Sequence, residues 1–127
     1  MDFDPIMKAG SRLGTCLMMV VDETQDMVSL SRNLQQFFQR ESCGWCTPCR
    51  DGLPWGVKIL DAMENGQGQA DDIEQIVRAD TRFMAWQDLC AHAPGAMEPL
   101  MSALRYFRHE FEAKVGKSEP QDNKVGA

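Results

Sequence analysis

The chain has 127 residues, 43% of them hydrophobic, and a formal net charge of −6. A chain of this length is expected to form one domain and to bury roughly two-thirds of its unfolded surface, enough for a core without covalent staples. The acidic balance, with no basic patch, excludes nucleic acid and anionic membrane surfaces as expected partners. No run of about 18 apolar residues is present, so no transmembrane helix is expected. Asp2, Asp4 and Pro5 stand where a signal peptide would be basic and then apolar. Five cysteines form an odd set with no regular framework, which suits metal ligation in a reducing compartment better than a disulfide scaffold.

In chain order, the first patterned stretch is Thr15 to Asp22, an apolar run stopped by Asp22 and Glu23. It reads as a buried strand, with Cys16 as a small hydrophobe inside it. One strand makes no stable sheet, so its partners should lie elsewhere. From Asp26 the period becomes helical. Met27, Leu30, Leu34, Phe37 and Phe38 define one face of a helix over 26–41, capped by Asp26 or Thr24. A second helix is predicted over 53–64. Pro54 sits in its first turn, Leu53, Val57, Leu60 and Met63 face inward, and glycines after Asn65 stop it. A short third helix starts at Asp71 or Asp72, with Ile73, Ile76 and Val77 inward, and runs to about residue 79. Residues 81–88 carry no clear signal.

Ala91 to Gly95 reads as a turn, followed by a fourth helix over 95–115. Its apolar stripe is Met97, Leu100, Met101, Leu104, Phe107, Phe111 and Val115, and Pro99 is tolerated as a first-turn residue. Residues 117–127 are polar and predict a disordered tail. The fold class is therefore mainly α: a four-helix bundle carrying a cysteine loop, with an N-terminal strand appended. The domain division is 1–25, 26–116 and the tail.

The chemistry lies in Cys43-Gly44-Trp45-Cys46-Thr47-Pro48-Cys49, with Cys90 far downstream. Three close thiols and one distant thiol match the ligand set of a cubane iron–sulfur cluster, which takes four thiolates. Zinc is the rival, but structural zinc sites usually pair their ligands two and two. A metal-free helical remnant is a third reading. Gly44 and Pro48 shape the loop, and the helix start behind it offers its amide end to thiolate charge. Arg40 and Arg50 could add positive charge, or simply be solvated. His92 follows Cys90 closely. It could replace a thiol, but its expected place is in the turn beside the ligands. The nine methionines fall mostly on helix stripes and read as core. No phosphate-binding glycine loop or nucleophile–base pair is present, so the residues describe an electron-relay module.

Three stretches carry a resemblance: Gly10-Ser11-Arg12-Leu13-Gly14-Thr15, then Arg40 to Gly52, then Cys90-Ala91-His92-Ala93-Pro94-Gly95-Ala96. Over about residues 1–115 the chain resembles the C-terminal part of the flavin-bearing subunit of respiratory complex I, as found in the bacterial NADH:quinone oxidoreductases. The resemblance implies a 4Fe–4S cluster on Cys43, Cys46, Cys49 and Cys90. It implies electrons received from FMN, which NADH reduces, and passed to the next iron–sulfur subunit. It implies peripheral-arm partners, the 2Fe–2S small subunit and the large iron–sulfur subunit, at the cytoplasmic face of the inner membrane without direct membrane contact. Residues 1–24 would then end a β-grasp-like domain. The family's NADH and FMN sites lie in a domain outside these residues, so the chain is not expected to oxidise NADH alone. Residues 75–89 depart from the family's pattern. NAD-linked hydrogenases and formate dehydrogenases carry a related subunit.

Overall fold

The helix that leads into the cysteine loop begins with a cap the sequence advertises. Asp26 accepts hydrogen bonds from the amides of Val28 (2.9 Å) and Ser29 (3.0 Å), which a helix N-terminus otherwise leaves without partners. In this computed structural model, which describes residues 2–9, 12–84 and 90–116, a short N-terminal helix α1 (Phe3–Lys8) precedes it as α2 (Met27–Glu41). Then follow α3 (Leu53–Glu64), α4 (Asp72–Ala79), α5 (His92–Tyr106) and α6 (Arg108–Ala113). Wider π-helical turns cover Pro48–Gly52 and Asp80–Met84. The protein is mainly α, and no strand occurs among the described residues.

The core forms where α2, α3 and α5 pack together. On α3 the expected face is the buried one: Leu53, Val57, Leu60 and Met63 are all inside. Its C-terminus closes as predicted. Gly66 takes φ 71°, the Gln67 amide reaches the Ala62 carbonyl (2.8 Å), and the Gly66 amide reaches that of Met63 (3.2 Å). Arg32 of α2 bridges Asp61 and Glu64 of α3, tying the two helices at their surface.

The buried face of α2 differs from the expected one. Val28, Ser31 and Gln35 are buried, whereas Phe37 is largely exposed and Met27 and Phe38 only flank the core. A purely hydrophobic stripe misses this phase because Gln35 finds a buried hydrogen-bond partner on α5. α5 also starts earlier than expected. The stretch Ala91–Gly95 is its first turn, closed by the Gly95 amide on the Ala91 carbonyl (2.9 Å), so Pro99 lies inside the helix. The single helix expected over 95–115 breaks at Phe107 (φ −125°, ψ 27°). An unbroken helix would put Phe107 and Phe111 on one face. The break instead leaves Phe107 at the surface and buries Phe111 completely.

The segment Thr15–Asp22 is not a strand. The chain turns at Leu13–Cys16, where Cys16 takes φ 64° and its amide reaches the Leu13 carbonyl (2.9 Å). Leu17 to Val21 then run exposed, Val20 at 98%. Cys16 is exposed as well, not buried as expected. A strand needs a ladder partner, and the described residues supply none. The expected tail, 117–127, lies outside the described residues.

Candidate metal centre

The three-cysteine loop is the junction between α2 and α3. α2 ends at Ser42, whose backbone turns extended (φ −68°, ψ 136°). Gly44 takes φ 69°, a left-handed conformation that side chains resist, and its amide donates to Ser42 Oγ at 3.0 Å.

From Cys46 the chain enters a helical path at once. The Arg50 amide donates to the Cys46 carbonyl (2.8 Å), and the Leu53 amide to the Pro48 carbonyl. The wide turn Pro48–Gly52 runs directly into α3, so Cys46 and Cys49 stand at the head of a long helical segment. The first amides of such a segment lack intrahelical acceptors and carry partial positive charge, which complements negative charge placed at that end. Pro48 fits there because it has no amide hydrogen to leave unpaired. Arg50 lies against Thr47 (3.4 Å) and Asp51 (3.3 Å), a half-neutralised surface pair.

The four cysteines differ in setting. Cys49 is buried at 6% exposure, within the same apolar cluster as Leu53, Met84 and Ala93. Cys46 is half-buried, and Cys43 and Cys90 are exposed. Trp45, between Cys43 and Cys46, is 78% exposed. Behind the loop, Gly52 packs so closely that a Cβ there would sit 2.3 Å from Met84 Sδ and 3.1 Å from Phe83 Cε1. The second π-helical turn therefore buttresses the first.

Cys90 lies in a bend just before α5. α5 packs on both α2 and the Pro48–Gly52 turn, and Cys90 stands two residues before its first residue. His92, expected in a turn, is instead the first residue of α5, and its Nε2 lies 2.8 Å from the Phe38 carbonyl oxygen. Among the described residues no three His, Cys, Asp or Glu side chains converge on a point that would take a single ion. A cubane asks for a different arrangement, one thiolate at each of four separate irons. Four thiols in two chain segments, one of them buried at a helix head, fit that demand in donor chemistry. The sequence did not reveal the Phe38–His92 contact or the role of Gly52. Only the closeness of His92 to Cys90 and the unbroken run from Cys49 into Gly52 hinted at them.

These features describe a three-cysteine loop on a helical scaffold. Residues 29–114 match the family described as the NADH-ubiquinone oxidoreductase-F iron-sulfur binding region, and the chain belongs to that family. It is 62% identical over 115 residues to the F subunit of NADH-quinone oxidoreductase of Escherichia coli (strain K12), covering 91% of this chain and 26% of the relative. It is 52% identical over 124 residues to the protein of the same name in Buchnera aphidicola subsp. Acyrthosiphon pisum, covering 98% of this chain and 28% of the relative. The chain thus spans about a quarter of the length of these curated relatives, 26% and 28%. Among solved structures it resembles an NAD+-reducing [NiFe]-hydrogenase in the H2-reduced state. The TM-score is 0.74 at 30% identity, over 80% of this chain and 17% of that one.

Proposed function

We propose that the chain is the electron-relay region of a complex I flavin-bearing subunit, with a 4Fe–4S cluster held by Cys43, Cys46, Cys49 and Cys90. The carrying observation is a loop with three thiols at the head of a long helical segment, in a chain that belongs to an iron–sulfur binding family. When bound, the cluster supplies reversible one-electron transfer and, with four thiolates, keeps no open position for substrate. The chain's own residues do the rest. Cys43, Cys46 and Cys49 present three thiolates from one loop, and Cys90 brings the fourth from the foot of α5. The amide end behind Cys46 offsets their negative charge. Burial of Cys49 among Leu53, Met84 and Ala93 keeps water from that side.

In this reading the electrons come from FMN reduced by NADH and go to the next iron–sulfur subunit of an NADH:quinone oxidoreductase. The partners are the 2Fe–2S small subunit and the large iron–sulfur subunit, at the cytoplasmic face of the inner membrane. FMN and NADH bind elsewhere in the full-length subunit, and this chain alone does not oxidise NADH. Residues 26–116 are the cluster domain, organised as a bundle of four main helices. Residues 1–25 are the end of a preceding β-grasp-like domain, in which the exposed Leu17–Val21 run, unpaired among the described residues, would meet its pairing partner. Identity favours complex I over a hydrogenase, 62% against 30%, although the fold likeness supports the latter as a second reading.

Cysteine substitution tests the assignment. Cys43→Ala, Cys46→Ala, Cys49→Ala and Cys90→Ala should each prevent a normal four-iron cluster after reconstitution with iron and sulfide. A normal cluster in Cys90→Ala would overturn the ligand set.

A further inference from the structure

Phe38 belongs to the last turn of α2, whose final carbonyls have no donor within the helix. The backbone at Ser42 turns away and leaves that end open. His92 closes it from another helix. Its Nε2 lies 2.8 Å from the Phe38 carbonyl oxygen. A carbonyl only accepts, so Nε2 carries the proton and donates. The imidazole also meets the Phe38 ring edge-on, with centroids 5.7 Å apart at 79°.

A second bond crosses the same interface in the opposite sense. The buried Gln35 Nε2 of α2 donates to the Ala96 carbonyl of α5 at 2.6 Å. Pro99 lies inside α5 and offers no amide to the Gly95 carbonyl, which loosens the helix at this turn. A side chain of each helix therefore grips a carbonyl of the other. Sliding α5 by one residue, about 1.5 Å, would break both bonds. In the chain, the His92–Phe38 pair flanks the cysteine set. Phe38 stands shortly before Cys43, and His92 directly follows Cys90 and Ala91. Cys90 itself is exposed, and among the described residues of its segment His92 bonds to the loop-bearing helix.

We propose that His92 is the positioning residue for the fourth ligand: its bond to the Phe38 carbonyl fixes where Cys90 stands relative to Cys43, Cys46 and Cys49. The proposal rests on the four-cysteine reading above. Its test compares the full chain with His92→Phe and His92→Gln, purified without oxygen and reconstituted with ferrous iron and sulfide. Phenylalanine keeps a ring against Phe38 and removes the donor, whereas glutamine restores a donor near the Nε2 position. For His92→Phe the expected result is unchanged far-ultraviolet helicity, a fall from about four to about three irons per chain, and an EPR signal of a three-iron cluster in the oxidised protein. His92→Gln should recover about four irons and the unsubstituted spectrum. A His92→Phe protein with the full cluster would overturn the proposal. So would loss of helicity together with iron, which would assign His92 to folding alone. An unsubstituted chain that fails to take up four irons would instead sink the four-cysteine reading, and the proposal with it.

Discussion

Gln35, 1% exposed in the middle of α2, donates to the Ala96 carbonyl of α5 at 2.6 Å. A buried amide is tolerated only when it is hydrogen-bonded, and this one joins two helices of the core. Gln35→Ala removes the bond and leaves a cavity, so it should cost about 1–3 kcal/mol. Gln35→Leu, which fills the space, should cost less. Urea titration would show both as shifts in midpoint at unchanged slope.

Gly52 and Met84 form the other close packing point. A Cβ on Gly52 would meet Met84 Sδ at 2.3 Å, so Gly52→Ala makes the buried end of the Met84 side chain shift. The expected loss is about 1–3 kcal/mol, typical of an overpacked core. Met84→Ala should be costly alone through its cavity, but less than additive with Gly52→Ala because each relieves the other. A double-mutant cycle by thermal unfolding reads the coupling directly.

Two carboxylates give opposite pH signatures. Burial pushes the Asp26 carboxyl up, but the Lys114 ammonium and the amides of Ser29 and Val28 outweigh it and hold it below its ordinary 3.8. A depressed carboxyl stabilises the fold above its unfolded value and loses that contribution as pH falls through the folded one. Asp26→Asn should therefore be destabilising at neutral pH, with the difference fading as pH falls below the ordinary value of 3.8 and through the depressed folded one. Asp80 is raised above 3.8, first by burial and then by the nearby charge of Glu98. Its deprotonation works against folding, so its contribution is intact below the unfolded value and is lost as pH rises through the folded one. Asp80→Asn should raise Tm at neutral pH and leave it unchanged once pH drops below about 3. Melting curves of both variants across pH check the two signs.

Cys16 is exposed and stands in the N-terminal segment, outside the proposed ligand set. Cys16→Ser should leave iron content and the EPR spectrum of the reconstituted chain unchanged. A loss of iron in this variant would place a fifth thiol in the chemistry.

The sequence disclosed most where one local rule decides the structure. Asp26 caps a helix because its side chain suits the first amides. Gly66 ends α3 because it can take a positive φ. The face of Leu53, Val57, Leu60 and Met63 is buried because nothing polar competes for it. It misled where tertiary partners decide. Gln35 is buried because Ala96 offers a carbonyl, and no hydropathy pattern contains that bond. Phe107 and Phe111 look equivalent on a helical wheel, but a break between them sends one outward. The run Leu17–Val21 has the composition of a strand, and a strand exists only with a neighbour to pair with. At the candidate site, the thiol spacing showed which residues to consider. The Phe38–His92 contact that ties their two segments together joins positions far apart in the chain and was not legible.

The most direct test of the central claim is iron, sulfide and zinc content of the chain purified without oxygen, with an EPR spectrum before and after dithionite. An electron-relay cluster requires about four irons and four sulfides per chain, no zinc, and a paramagnetic signal that appears only on reduction. One zinc per chain with no iron or sulfide would contradict it and make the cysteine loop a structural zinc site.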